Sequence, residues 1–96
     1  MSLENEIALV TGASRGIGQA IALKLGKDGA TVIGTATSSS GAENITQTLK
    51  DNGLKGMGVV MNVTDQSSVD AALEIITGEF GAPSVLVYNA GITRDN

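Results

Sequence analysis

The feature that most narrows the fold is a strict alternation of two hydrophobic periodicities. Short apolar runs fall at Ile7–Val10, Thr31–Ala36, residues 57–63 and residues 85–88. Between them lie stretches whose apolar residues recur every three or four positions. The runs read as strands, the first of them buried on both faces, and the stretches between as amphipathic helices. Strand–helix alternation with short loops implies right-handed crossovers and a parallel sheet. The predicted fold class is α/β, a Rossmann-type doubly wound sheet of four strands in the order 3-2-1-4 with three helices. A flavodoxin-like order, 2-1-3-4, is the alternative. In the first order the first and fourth strands meet at the switch point, where ligands bind at the carboxyl ends of strands.

Helix boundaries follow from caps and breakers. In the first helix, predicted over 16–28, Ile17, Ile21 and Leu25 recur every four residues with Ala20 beside them, and Asp28-Gly29 ends the stripe. Gly26 is expected to weaken it slightly. Ser40-Gly41-Ala42-Glu43 fits a capping box opening a second stripe, Ala42, Ile45 and Leu49, which stops near Asn52-Gly53. Asp65 is placed to cap a third helix with an inner face of Val69, Ala72, Leu73, Ile76 and Phe80, broken by Gly81-Ala82-Pro83. Val85-Leu86-Val87 is expected on a sheet edge with one face uncovered.

Composition removes several function classes. The 96 residues include 13 glycines but only one Phe and one Tyr, which favours tight turns and close helix–strand packing over a core of large rings. Six Lys plus Arg stand against ten Asp plus Glu, with no basic run able to neutralise a phosphate backbone, so no nucleic-acid partner is expected. The absence of Cys and His excludes disulfides, the usual zinc sites, a thiol nucleophile and an imidazole base, and no metal ligand set is expected. No apolar run approaches the roughly 18 residues of a membrane span, and acidic residues stand where a signal peptide carries basic ones. A cytoplasmic protein without a membrane partner is expected. The Asn44 and Asn62 sequons are then chance matches.

Thr11-Gly12-Ala13-Ser14-Arg15-Gly16-Ile17-Gly18 is T-G-x-x-x-G-x-G at the junction of a strand and a helix. Three spaced glycines are weak evidence alone; the position makes them informative. There, missing Cβ atoms let the backbone bend and approach a pyrophosphate, while the helix N-terminus offers N–H groups and partial positive charge. The plain alternative is a turn needed only for helix–strand packing. An NAD site usually places an acid near the end of the second strand to hold the ribose hydroxyls. Here Gly34-Thr35-Ala36-Thr37-Ser38 offers hydroxyls and no acid, and Arg15 lies in the glycine loop, a pairing suited to the 2′-phosphate of NADP. Otherwise Arg15 extends into water and Thr37 opens a loop.

With Asn62-Val63 after the third strand and Asn89-Ala90-Gly91 after the fourth, the chain resembles the short-chain dehydrogenase/reductase family over essentially its whole length. More narrowly, residues 7–18, 34–38 and 90–96 resemble bacterial β-ketoacyl-acyl-carrier-protein reductases of fatty acid biosynthesis. The resemblance implies that Gly12, Ser14, Arg15, Gly16, Ile17 and Gly18 line the pyrophosphate and adenosine ribose of NADP, with Thr37 near the 2′-phosphate. It also implies that Asn62 and Val63 flank the adenine, and that Asn89, Ala90 and Gly91 pass the ribose on the nicotinamide side. The plain alternative, without the family, is that Asn62 and Asn89 merely satisfy backbone groups at strand ends.

Family members usually carry Asn-Asn-Ala-Gly after the fourth strand, and this chain has Tyr88-Asn89-Ala90-Gly91. The family's catalytic Ser, Tyr-x-x-x-Lys pair and relay Asn would lie beyond the equivalent of Asn96. Tyr88 has Ile92, not Lys, four positions on, so nothing here would lower a phenol pKa for proton delivery. Asp65 and Asp70 read as a cap and a solvated face rather than an acid/base dyad. Residues 1–96 are thus expected to form an NADP-binding half-domain, truncated before the catalytic segment, containing no catalytic residue and inactive by itself. The full-length parent would be a homotetramer acting on an acyl-carrier-protein-bound substrate. The rival expectation is a non-catalytic dinucleotide-binding or interaction module that pairs through its fourth strand.

Overall fold

The computed structural model describes residues 3–14 and 16–88. Ile7–Val10 forms β1, followed in chain order by α1 (Gly16–Lys27), β2 (Thr31–Ala36), α2 (Ser39–Asp51), β3 (Gly56–Val60), α3 (Gln66–Glu79) and β4 (Val85–Val87). The sheet has the order β3-β2-β1-β4, and every pairing is parallel. The expected fold class and strand order therefore hold, and the 2-1-3-4 alternative does not. β1 lies inside the sheet, in register with β2 through Leu9 and Ile33 and with β4 through Leu9 and Leu86.

Alternating strand residues supply two cores. Val10, Val32 and Ala36 pack with Ala22 of α1 and with Ile45 and Leu49 of α2. Leu9, Ile33, Val59 and Met61 pack with Ala72 and Ile76 of α3, with Val69, Leu73 and Phe80 partly buried around them. The face expected for α3 is thus the face it buries. Two helices serve one core and one the other, the layering of a doubly wound sheet.

The close packing expected from the glycine content is concentrated beneath α2. Gly34 and Gly58 are register partners on β2 and β3. A Cβ on Gly34 would stand 2.8 Å from both Ala13 Cβ and Ile45 Cγ2, and one on Gly58 would run into the Ala42 carbonyl. Only hydrogen at both positions lets α2 settle this near the sheet.

One buried face and three boundaries differ from expectation. The buried stripe of α1 is Gly18, Ala22 and Gly26. Ile17 is 72% exposed, Ala20 is exposed, and Ile21 and Leu25 pack only partly buried against the core. Small residues spaced by four bring the helix axis close to the strands and leave the larger ones flanking the seam. Gly26 accordingly marks a contact, since a Cβ there would lie 2.7 Å from Leu54 Cδ1. The cap of α2 is Ser38, not Ser40: its hydroxyl accepts from the Gly41 N–H at 3.1 Å. In a serine tract the register is decided by Ala42, Ile45 and Leu49, which face the core, and Ser38 is the hydroxyl this leaves at the first orphan amides.

β3 ends at Val60 instead of residue 63. Met61 donates one more ladder bond to Ala36 O, after which Asn62 turns the chain by accepting from the N–H and hydroxyl of Thr64. Likewise β4 ends at Val87, one residue short of Tyr88.

The Asp65 cap of α3 forms as expected, accepting from the Ser67 N–H at 3.1 Å. The Ser67 hydroxyl, then the backbone of Ser68 and Ser67, hold its carboxyl below the ordinary value. Leu86 on β4 is 65% exposed, the uncovered edge that the sequence implied.

Candidate cofactor site

β1 ends in a turn that is tied to its neighbours before α1 begins. Thr11 N–H donates to Val87 O at 3.0 Å and Ala13 N–H to Thr35 O at 2.9 Å. Gly12 N–H reaches the buried Thr35 hydroxyl at 3.3 Å. These bonds hold the entry of the loop against β2 and β4.

Within it, Gly12 and Gly16 adopt φ of 65° and 64°, the left-handed region where a side chain is strained. Among the described residues, leaving out its chain neighbours, nothing lies within 4 Å of a Cβ built on Gly16. The second of these glycines therefore serves backbone direction. Gly18 is buried in α1 and Ile17 projects outward.

The carboxyl end of β2 and the first turns of α2 border an open polar cleft of about 460 Å³ lined by Ser14, Ala36, Thr37, Ser38, Ser40, Gly41 and Asn44. Ser14 and Thr37, singled out separately from the sequence, thus meet in one place. None of the described lining residues is acidic. Hydroxyls that can donate, with no described carboxylate to repel an anion, are compatible with a phosphate monoester, and the carboxylate that usually holds the ribose hydroxyls of NAD is not among the described lining. Ser38 belongs to the hydroxyl segment read from the sequence, whereas Ser40, Gly41 and Asn44 were not recognised as site residues there. Asn44 Nδ2 donates to the Ser14 carbonyl oxygen at 3.1 Å, a contact across 30 positions of chain with no local signal.

Asn62 and Val63 lie apart from this cavity. The Asn62 side-chain oxygen accepts from Thr64 and its N–H donates to the Ser68 hydroxyl at 2.9 Å, so the residue serves backbone groups at a strand end. Val63 lines a second cavity, about 290 Å³ and apolar, with Leu9, Met61, Leu73, Leu86 and Tyr88. Arg15, Asn89, Ala90 and Gly91 lie outside the described residues. Among the described residues no group of three or more His, Cys, Asp or Glu could hold a metal ion, and no helix is long and apolar enough to cross a membrane.

Comparison with known proteins adds an independent finding. A model of the short chain dehydrogenase family matches residues 6–96. The chain is 64% identical over all 96 residues to the 3-oxoacyl-acyl-carrier-protein reductase FabG of Pseudomonas aeruginosa, covering 39% of that protein. It is 59% identical over its full length to the FabG of Salmonella typhimurium, covering 38% of it. The Haemophilus influenzae FabG is 56% identical over 94 residues, again with 38% of the relative covered. The chain thus spans about two fifths of the length of these curated relatives.

Proposed function

Because the chain belongs to the short-chain dehydrogenase family, we propose that it is the NADPH-binding part of an enzyme reducing a 3-oxoacyl thioester on acyl carrier protein to the 3-hydroxyacyl form. The names and identities of the curated relatives support the substrate and reaction class. The pocket at the end of β2, with hydroxyls from Ser14 and Thr37 and no described acidic lining, supports the choice of NADP over NAD.

In this reading the glycine turn from Gly12 to Gly18 takes the pyrophosphate, with Ser14, Gly16 and Ile17 along it. Arg15 and Thr37 take the 2′-phosphate, Asn62 and Val63 lie toward the adenine, and Asn89, Ala90 and Gly91 lie toward the nicotinamide ribose. The cofactor supplies the hydride. The left-handed turn at Gly16 and a hydroxyl-rich pocket supply binding and orientation, and the only tyrosine, Tyr88, lacks a lysine four residues on. Residues 1–96 accordingly act as a cofactor-binding half-domain with no catalytic residue and do not turn over thioester by themselves. The whole enzyme is proposed to be a cytoplasmic homotetramer.

Titration of the chain with NADPH and with NADH, read by nicotinamide fluorescence, tests the reading. NADPH is expected to bind more tightly, and Thr37→Asp to weaken NADPH by about tenfold or more while sparing NADH, since it places a charge against the 2′-phosphate. Unchanged preference in Thr37→Asp would refute the phosphate assignment. Failure to bind either nucleotide, together with concentration-dependent self-association, would favour an interaction module pairing through β4.

A further inference from the structure

The glycine loop is anchored from two directions. Its entry is tied to the end of β2 by Gly12 and Ala13. The second anchor is Asn44 of α2, whose Nδ2 holds the Ser14 carbonyl at 3.1 Å. Ser14 follows the left-handed turn at Gly12 and lines the polar cavity that Asn44 also borders. Its position therefore decides how the loop and the cavity sit relative to each other.

Asn44 can reach because α2 is seated close: Ala42, Ile45 and Leu49 are buried, the glycine pair beneath removes any obstruction, and a Cβ on Gly41 would be only 3.7 Å from Ser14 Cβ. Resting on the cofactor reading above, we infer that Asn44 is a positioning residue for the dinucleotide. By clamping Ser14 to α2, it makes the pyrophosphate turn and the 2′-phosphate pocket one preorganised surface. In its absence the loop must be ordered at the moment of binding, and the cost falls on any ligand that uses the turn.

The inference separates Asn44 from Thr37 in a measurable way. Thr37 acts on the 2′-phosphate, which only NADPH carries; Asn44 acts on the loop, which NADPH and NADH share. Asn44→Ala is therefore expected to raise the Kd of both nucleotides by a similar factor, about 3- to 10-fold for loss of one exposed hydrogen bond, with their ratio nearly constant. Asn44→Asp keeps the shape but removes the donor and adds a charge. It should reproduce the loss toward NADH and weaken NADPH further.

Circular dichroism and the thermal midpoint show whether each variant is folded. Amide exchange at Ala13 and Ser14 in the nucleotide-free chain supplies a readout independent of affinity: exchange should quicken in Asn44→Ala, while amides of β2 keep their rate. Unaltered affinities with unaltered loop exchange would overturn the inference and leave the cofactor reading standing. A loss confined to NADPH in Asn44→Ala would also overturn it, making Asn44 a phosphate ligand. If the unmodified chain binds neither nucleotide, the cofactor reading falls and this inference falls with it.

Discussion

Beneath α2, Gly34 and Gly58 bring the helix into contact at which even a methyl group would collide, whereas at β4 Leu86 and Tyr88 stand 65% and 55% exposed. The same sheet is thus packed to the limit at one end and open at the other. The tight end is also where the proposed cofactor pocket lies. Close seating of α2 places its first turns against the glycine loop, turning a strand end and a helix start into a polar pocket. The open end presents apolar surface, with the cavity between β4 and α3 lined by core-type side chains. Packing density here is therefore a condition for building the site as well as a source of stability.

Substitutions can break this contrast. The largest expected effect is at Leu49, 2% exposed on the inner face of α2: Leu49→Ala should cost about 2–5 kcal/mol in denaturant unfolding. The matching Leu86→Ala should cost less than about 0.5 kcal/mol, because little transfer from water is lost at an exposed site. Equal costs would show that the two ends are packed alike in solution.

A finer comparison uses glycines. Gly58→Ala should destabilise by about 1–3 kcal/mol through overpacking and, by displacing α2, weaken NADPH binding. Gly78→Ala on α3, where a Cβ meets nothing within 4 Å among the described residues, should stabilise by about 0.5–1 kcal/mol through helix propensity. Urea midpoints of the two variants should lie on opposite sides of that of the unmodified chain.

What was legible in the sequence follows the same division. The alternation, the Asp65 cap and the buried face of α3 came from periodicity and turn chemistry, which act over neighbouring residues. Those patterns left two strand orders open, and 3-2-1-4 rested on the Rossmann-type fold class. The α1 stripe misled because a hydrophobicity pattern ranks Ile17 above Gly18, while the sheet selects the residue that permits closest approach. The α2 cap shifted from Ser40 to Ser38 because adjacent serines are locally equivalent and only tertiary packing chooses among them. In the candidate site, Ser14 was named from the glycine loop and the family resemblance, and Thr37 from the hydroxyls after the second strand and that resemblance. Asn44 was overlooked because its partner is distant in sequence and its local setting matched only a chance sequon.

The central claim is that the pocket joining Ser14, Thr37 and Asn44 receives the phosphate that distinguishes NADPH from NADH. Amide-resolved nuclear magnetic resonance titration with each nucleotide tests it most directly. NADPH should perturb both the turn at Gly12–Ser14 and the amides of Thr37, Ser38 and Gly41. NADH should perturb the turn while leaving residues 37–41 nearly unmoved. Identical perturbation of residues 37–41 by both nucleotides, or shifts centred on Leu86 and Tyr88 instead, would contradict the account.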